Sequence, residues 1–209
     1  MTTGNKFTPA TLPSTNGQIS LPSNDGKWTV LYIYEGDFSP SSASDILALE
    51  KALPKFFAYD ANVVAMSSDS IAAHLAWILS LRNQSRQGKS IGIELISDKN
   101  GVTQNALGID AGNESAVIII DPDGVVRHIK KGDTSSGINV TEIERELLAL
   151  KEISEKSLRT PANWTPGSET LSHPPTTLDG ALSGATKALQ TGGYCVDWYI
   201  CYNDTTLKT

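Results

Sequence analysis

Residues 28–34 read WTVLYIY, a near-continuous run of β-branched and aromatic side chains. Such a run is typical of a strand buried on both faces, because neither side of it offers a polar stripe to water. It therefore predicts a central strand. A polar loop follows at 35–41, and residues 42–57 then show the three-and-four spacing of apolar side chains that predicts a helix. Pro54 should bend or shorten the end of this helix.

The pattern on either side of this stretch alternates strands with helices. In chain order it predicts a leading hairpin before about residue 27, a strand at 62–66, a helix at 70–81 capped within 67–69, a strand at 93–96, a short helix at 102–107, strands at 116–120 and 125–129, and a helix at 139–153. The last two strands flank Asp121-Pro122-Asp123-Gly124, which suits a type I turn. This order predicts an α/β fold, a mixed sheet with helices on both faces.

Composition places the chain among ordinary globular proteins. It has 209 residues, is 39% hydrophobic and 19% charged, and carries a formal net charge of -6. The acidic balance argues against nucleic acid as a partner, because that affinity depends on clustered lysine and arginine. The sequence has no apolar run long enough to span a bilayer, and its first residues lack a basic start followed by an apolar stretch. We therefore expect a cytoplasmic protein without a membrane partner.

The composition changes after residue 157, where Pro, Thr, Ser and Gly become frequent. This change predicts an extended arm. Both cysteines of the chain, Cys195 and Cys201, lie beyond it in the aromatic segment 194–202. Aromatic side chains are costly to leave in water, so we expect this segment to dock against the protein.

Several short segments together resemble the peroxiredoxins of the alkyl hydroperoxide reductase C and thiol-specific antioxidant type. The matching segments lie at 28–34, 36–39, 63–70, 74–77, 96–98, 106–109, 118–129 and 160–164. Their order and spacing carry the resemblance, since each fragment alone is common. The resemblance implies a thioredoxin-like domain at 1–157, a carboxy-terminal arm at 158–209, and a homodimer that can assemble further into a ring. It also implies an antioxidant oxidoreductase that uses thiols to reduce hydrogen peroxide and organic hydroperoxides.

Peroxiredoxin chemistry needs an activated thiolate, and the family motif Pro-x-x-x-Thr/Ser-x-x-Cys places the cysteine at a helix amino terminus. The helix dipole, backbone amides and an arginine from a neighbouring strand lower the pKa of the thiol, and the thiolate then attacks peroxide and becomes a sulfenic acid. In this chain Glu35 stands at the proline position and Ser39 at the hydroxyl position. Ser42 stands at the cysteine position, and Ser115 at about the arginine position. Only the hydroxyl residue is retained.

These replacements favour a natural loss of activity over a laboratory Cys-to-Ser substitution, which would keep the proline and the arginine. Glu35 also adds a negative charge, which raises rather than lowers the pKa of a thiol. The resemblance then implies a pseudoenzyme whose fold serves binding or assembly, with an active paralogue or a thioredoxin-like reductant as partner and with no cofactor. An inactive variant of a working peroxidase is the alternative, and it predicts that Ser42→Cys restores activity.

Two other chemistries would use residues that the sequence contains. Ser42 with His74 would suit a serine hydrolase, but His74 lies in a predicted helix and the sequence has no Gly-x-Ser-x-Gly elbow. The three histidines, His74, His128 and His173, have no cysteine or carboxylate at metal-ligand spacing. Neither a hydrolase site nor a metal site is therefore predicted.

Cys195 and Cys201 offer a redox alternative. Some peroxiredoxins carry resolving thiols in a carboxy-terminal extension, so the resemblance allows an active redox enzyme that uses these two residues. A direct bond between them requires a sharp bend, because six residues of strand span about 20 Å whereas the Cα atoms of a disulfide lie within about 7 Å. The other interpretation is two buried thiols packed with Trp198 and Tyr199. Both interpretations remain open from the sequence.

Overall fold

The computed structural model describes residues 1–84, 91–190 and 192–204. The chain divides into two compact units, Met1–Val140 and Thr141–Thr209. Within the described ranges, no helix combines the length and the apolar character needed to cross a membrane.

The first unit is built on a mixed sheet. Its described strands are β1 (Ala10–Ser14), β2 (Gly17–Leu21), β3 (Trp28–Ile33), β4 (Ala61–Ser67), β5 (Glu94–Ser97), β6 (Glu114–Ile120) and β7 (Val126–Asp133), and its helices are α1 (Pro40–Ala58), α2 (Ile71–Gln84) and α3 (Val102–Ala106). The strand order is β2-β1-β5-β4-β3-β6-β7. The strands β3, β4 and β5 are parallel, while β1 with β2 and β6 with β7 form antiparallel hairpins. The predicted mixed sheet flanked by helices is confirmed, as is the leading hairpin.

Strand β3 is central and buried along its whole length, as predicted. It pairs in parallel with β4 and antiparallel with β6. Leu31 and Ile33 point into an apolar cluster on one face of the sheet. Tyr32 points to the opposite face, where it contacts Asp45 of α1. The sheet therefore holds the end of β3 and the beginning of α1 in one fixed relation.

Helix α1 begins at Pro40 because Ser39 caps it. The Ser39 Oγ accepts a hydrogen bond from the backbone N–H of Ser42 at 3.5 Å, and proline is favoured at the first helical position. Ser42 is therefore inside the first turn rather than at the cap, which corrects the start predicted at residue 42. Pro54 does not shorten the helix, which continues to Ala58 because its buried apolar face extends past the proline.

The cap of α2 also differs from the prediction within 67–69. Ser70 is the residue whose Oγ accepts a hydrogen bond, at 3.3 Å, from the backbone N–H of Ala73. Ser67 and Asp69 are bonded instead to each other, with the Ser67 hydroxyl donating to the Asp69 carboxylate at 3.0 Å. The same carboxylate oxygen accepts a hydrogen bond from the backbone N–H of Asp37 at 2.7 Å, and this tertiary contact outweighs the local capping preference of Asp69.

Later in the chain come α4 (Val140–Lys156), β8 (Thr170–Leu171), α5 (Leu178–Gln190), β9 (Tyr194–Asp197) and β10 (Ile200–Asn203). The three strands form an antiparallel sheet in the order β8-β10-β9. The predicted arm is less extended than expected, because a 13-residue helix and a hairpin follow its irregular part. The predicted division of the chain after residue 157 stays a prediction.

Candidate functional site

The first turn of α1 brings a carboxylate together with two serine hydroxyls. The Ser39 Oγ donates a hydrogen bond to Glu35 Oε1, and the Ser41 Oγ donates to the same oxygen at 3.2 Å. The positive end of a helix dipole favours a negative group at this place. Glu35 supplies that negative group from the loop before the helix. The start of α1, where an activated thiolate would have to lie, therefore carries the negative charge of Glu35.

Ser42 lies beside a buried tyrosine–aspartate pair. The Tyr32 hydroxyl donates a hydrogen bond to Asp45 Oδ2 at 2.6 Å, and Asp45 Oδ1 accepts one from the backbone N–H of Ile138 at 3.1 Å. Ser42 is 2% exposed and Asp45 is 4% exposed. The Ser42 side chain acts on the Tyr32 phenol and opposes the rise of its pKa. The hydroxyl of Ser42 is thus buried next to the tyrosine–aspartate pair.

Burial and negative charge dominate the electrostatics around Ser42. Burial raises the pKa of the Tyr32 phenol most, and the hydrogen bond to Asp45 and the charges of Asp45 and Glu35 raise it further. Burial also raises the pKa of the Asp45 carboxyl, against the lowering effect of its bonds to Tyr32 and Ile138. A thiol in this place would have its anion disfavoured by the same two causes, burial and nearby carboxylates.

Ser115 lies near the beginning of β6, at the end of the sheet where β3 stops. The residue after it pairs with Ile33, which places Ser115 level with the end of β3. Its hydroxyl donates a hydrogen bond to the carbonyl oxygen of Gly132 at 3.2 Å. The cation of Arg127 lies at the other end of β6, where it pairs with Asp121 at 3.1 Å. Ser115 therefore contributes a neutral hydroxyl at this end of the strand.

A second buried network holds the loop between β3 and α1. His74 of α2 is fully buried, with Nδ1 2.9 Å from Asp37 Oδ2 and Nε2 3.2 Å from the carbonyl oxygen of Ile96. The Tyr34 hydroxyl donates to Asp37 Oδ1 at 2.9 Å, and the backbone N–H of Asp37 donates to Asp69 Oδ2 at 2.7 Å. These bonds tie the loop to α2, β4 and β5 at once. They make His74 a structural residue.

Ser42 and His74 do not form the nucleophile–base pair of a hydrolase in the structure. Both nitrogens of His74 are engaged by Asp37 and Ile96, so this histidine is not the base that a Ser42 nucleophile would need. In the part of the chain that the structure describes, no three or more His, Cys, Asp and Glu side chains are grouped to hold a metal ion.

Cys195 and Cys201 form a disulfide bond. They stand opposite each other in β9 and β10, with their Cα atoms 4.0 Å apart. The sharp bend that the bond requires is the turn at Trp198 and Tyr199. The interpretation as two free thiols packed with these rings is wrong, because strand pairing across the turn brings the two sulfurs together. The expected docking of the aromatic segment is also wrong at this turn, where Trp198 is 53% exposed and Tyr199 48% exposed.

The first part of the chain matches a known protein family. The AhpC/TSA family profile matches residues 3–129, which is more than half of the chain. The chain belongs to the AhpC/TSA family. The match begins before β1 and ends within β7, so it includes Glu35, Ser42 and Ser115.

Individual peroxiredoxins extend the similarity over nearly the whole chain. Peroxiredoxin 2 of Thermoplasma acidophilum is 33% identical over 184 residues, which cover 86% of this chain and 91% of that protein. A peroxiredoxin of Thermotoga maritima is 30% identical over 210 residues, which cover 95% of each chain. The solved structure of a yeast mitochondrial 1-Cys peroxiredoxin superposes with a TM-score of 0.85 at 20% identity, over 98% of this chain and 100% of that chain. The thioredoxin-like peroxiredoxin fold predicted from the sequence is therefore confirmed.

The sequence of this peroxiredoxin points to some of the site residues and misses others. Ser39 and Ser42 are predicted, and the structure brings them together at the start of α1. Their assignment, with Ser115, to the hydroxyl, cysteine and arginine positions of the family stays a prediction. Tyr32 and Asp45 are missed. The signal for Tyr32 is a phenol in a strand that is otherwise apolar and buried, since a buried hydroxyl needs a hydrogen-bond partner.

Proposed function

We propose that this peroxiredoxin does not reduce peroxide at Ser42 and that its fold serves as a binding or assembly module. The observation that supports the proposal most is the Glu35 carboxylate, which accepts hydrogen bonds from Ser39 and Ser41 at the start of α1. Peroxide reduction in this family proceeds by oxidation of a thiolate to a sulfenic acid. The alcohol of Ser42 contains no sulfur and cannot be oxidised in this way.

The surroundings of Ser42 favour a natural loss over a laboratory substitution. A single Cys-to-Ser change would leave an environment suited to a thiolate, with positive charge near the sulfur. Here the charges that act on the neighbouring Tyr32 phenol come from Asp45 and Glu35, and both are negative. Ser115 offers a hydroxyl that is bonded to the Gly132 carbonyl. More than one element of a thiolate site is therefore missing.

Restoring the cysteine alone tests this proposal. Ser42→Cys, made in a background that carries Cys195→Ser and Cys201→Ser, should not consume hydrogen peroxide with dithiothreitol as the reductant. The matched control combines Ser42→Cys with Glu35→Pro and Ser115→Arg, which supplies all three missing groups together. Turnover by Ser42→Cys alone at the rate of an ordinary peroxidase would identify an inactive variant of a working enzyme and would reject the proposal.

The partner that we propose for the module is another protein chain. A homodimer, able to assemble further into a ring, is supported by membership of the peroxiredoxin family. An active paralogue or a thioredoxin-like reductant would be the second kind of partner. Analytical ultracentrifugation of the purified chain tests the first part, and a monomer at micromolar concentration would contradict it.

A second candidate function, favoured by the Cys195–Cys201 disulfide, is redox chemistry in the tail. It predicts that any thiol-dependent peroxide consumption by the native chain disappears when both cysteines are replaced by serine. Consumption that is indifferent to this replacement would exclude it. A cytoplasmic location also stays a proposal, and it bears on this candidate, because cytosolic disulfides are usually transient and either catalytic or redox-sensing.

A further inference from the structure

We propose that helix α5 is a self-association element, which pairs in antiparallel orientation with α5 of a second copy of this chain. The inference rests on the proposed assembly function and deepens it, because it names the surface and the partner of the module. It does not depend on the chemistry at Ser42.

The leucines of α5 lie on the outside of the protein. Leu178, Leu182 and Leu189 are 77%, 76% and 69% exposed. Their spacing places them on one side of the helix, in a single apolar stripe. A surface helix of a globular protein ordinarily turns such a stripe toward the core. In α5 the stripe is instead available to another molecule.

The side of α5 that packs on its own sheet is made of small residues. Ala188 is buried, and a Cβ added at Gly184 would lie 3.9 Å from the carbonyl oxygen of Trp198. A helix of 13 residues that also contains Gly180 is marginal in isolation, because short helices and internal glycines both cost stability. Packing on the leucine side would therefore contribute strongly to the stability of α5.

A groove at the beginning of the stripe fits a leucine side chain from another chain. Leu178, Ala181 and Leu182 form this groove together with Trp198, and its volume is about 470 Å³. Leu189 lies about 16 Å further along the helix axis than Leu178. One end of α5 therefore offers an apolar groove, and the other end offers an exposed leucine.

An antiparallel pair of helices uses both features at once. Leu178 and Leu189 are about equally far from the middle of α5, so a two-fold axis there places Leu189 of each copy level with the groove of the other. The same orientation puts the positive end of each helix dipole beside the negative end of the other. Parallel pairing would align like ends and would leave both grooves without a leucine.

The exposed area agrees with a second copy as the occupant. For large side chains of about 150–250 Å², the exposed fractions of the three leucines and of Trp198, which is 53% exposed, amount to roughly 500 Å² per copy. Two copies then bury roughly 1,000 Å², which is about the lower limit for a specific interface. A membrane surface fits less well, because helices that bind membranes are rich in Lys and Arg, and α5 carries the single cation Lys187 beside Asp179.

The test uses the full chain, in which both native cysteines are bonded to each other, and adds one free thiol at a time. Leu178→Cys and Leu189→Cys are made separately, and a short bismaleimide links chains whose new thiols meet. A mixture of the two variants should give a covalent heterodimer, because these positions in different chains lie level. Neither variant alone should be linked, since like positions are then about 16 Å apart along the axis.

A matched pair of variants measures the contribution of the stripe. Leu182→Glu should shift self-association, followed by sedimentation velocity, to at least about tenfold higher concentration, because a two-fold interface contains the substitution twice. Val102→Glu is the control. It adds the same charge at an apolar side chain of α3 that is 67% exposed, and it should leave self-association unchanged.

Three results would overturn the inference and leave the assembly proposal intact. They are linking of each variant with itself, absence of any linking in a chain that still sediments as an oligomer, and equal association of Leu182→Glu and Val102→Glu. A native chain that stays monomeric at all concentrations would overturn both proposals.

Discussion

Replacing Tyr32 by phenylalanine removes the donor on which the buried Asp45 carboxylate depends. The hydroxyl donates to Asp45 Oδ2 at 2.6 Å, and both side chains are buried. A hydrogen bond to a charged group contributes about 1.5–3 kcal/mol, so Tyr32→Phe should lower the free energy of unfolding by that amount. Asp45→Ala leaves two donors unpaired, the buried Tyr32 hydroxyl and the partly buried Ile138 N–H, and should cost about 2–5 kcal/mol.

Urea denaturation of the two single variants and of the double variant measures the coupling between these side chains. Because both lose the same bond, their costs should not add, and the coupling energy should exceed about 1 kcal/mol. Tyr199→Phe is the matched control, since it deletes a phenol at an exposed position and should cost less than about 0.5 kcal/mol. A Tyr32→Phe variant as stable as this control, or additive costs, would refute the description of the site.

The same pair predicts a dependence on pH. Burial raises the pKa of Asp45 above its unfolded value, so the folded chain keeps this proton to a higher pH than the unfolded chain does. The resulting stability is fully present below the unfolded pKa and is lost as the pH rises through the folded pKa. Asp45→Asn cannot titrate, so it does not lose this stability as the pH rises. The free energy of unfolding of Asp45→Asn minus that of the native chain should therefore increase from about pH 3.5 to pH 7. A difference that is constant across this range would contradict the reasoning.

Replacing His74 by alanine should cost about 3–5 kcal/mol in urea denaturation, because it empties the site of a fully buried ring and removes one of the two side-chain partners of Asp37, the other being the Tyr34 hydroxyl. A cost below about 1 kcal/mol would show that the network does not hold the loop. Reducing the Cys195–Cys201 bond should lower the unfolding free energy by about 2 kcal/mol, since the cysteines are only 6 residues apart. Thermal melts with and without dithiothreitol measure this, and loss of the whole transition would show that the hairpin depends on the bond. In Ser42→Cys, the thiol should keep a pKa at or above about 8.5, so that at most about 3% is thiolate at pH 7. Ultraviolet absorbance of the thiolate against pH measures it, and a pKa below about 7 would contradict the electrostatic description.

The order of elements in the first unit can be predicted because its signals are local. The apolar run at 28–34 marks the central strand, and the turn residues at 121–124 mark the hairpin between β6 and β7. The exact starts of α1 and α2 cannot be predicted in the same way. Ser70 caps α2 because Asp69 is bonded to Asp37, and no local pattern reveals a contact 32 residues away.

The second unit is harder to predict because its signals conflict. Leu178, Ala181 and Leu182 have helical spacing in α5, but the Pro, Thr and Gly residues before them favour an irregular arm. The turn between Cys195 and Cys201 contains no glycine, proline or asparagine, and Asp197 is its one common turn residue, so the sequence gives only a weak sign that the strand reverses. Six residues of extended strand separate two Cα atoms by more than a disulfide allows, whereas the hairpin places Cys195 and Cys201 opposite each other.

The site is partly predictable for a similar reason. Glu35 and Ser42 are found from their places in a linear motif. The Tyr32–Asp45 bond depends on which face of β3 meets α1, and the bond from Ile138 joins residues 93 apart in the sequence. Contacts of this kind come from packing and not from local pattern.

Peroxide consumption by the native chain tests the central claim most directly. The purified protein is mixed with hydrogen peroxide and dithiothreitol, and the loss of peroxide is followed before and after both tail cysteines are replaced by serine. With the tail cysteines replaced, the protein should remove peroxide no faster than dithiothreitol does alone. Rapid peroxide loss that persists in the Cys195→Ser/Cys201→Ser variant would mean that the protein reduces peroxide without a cysteine. That result would contradict the claim.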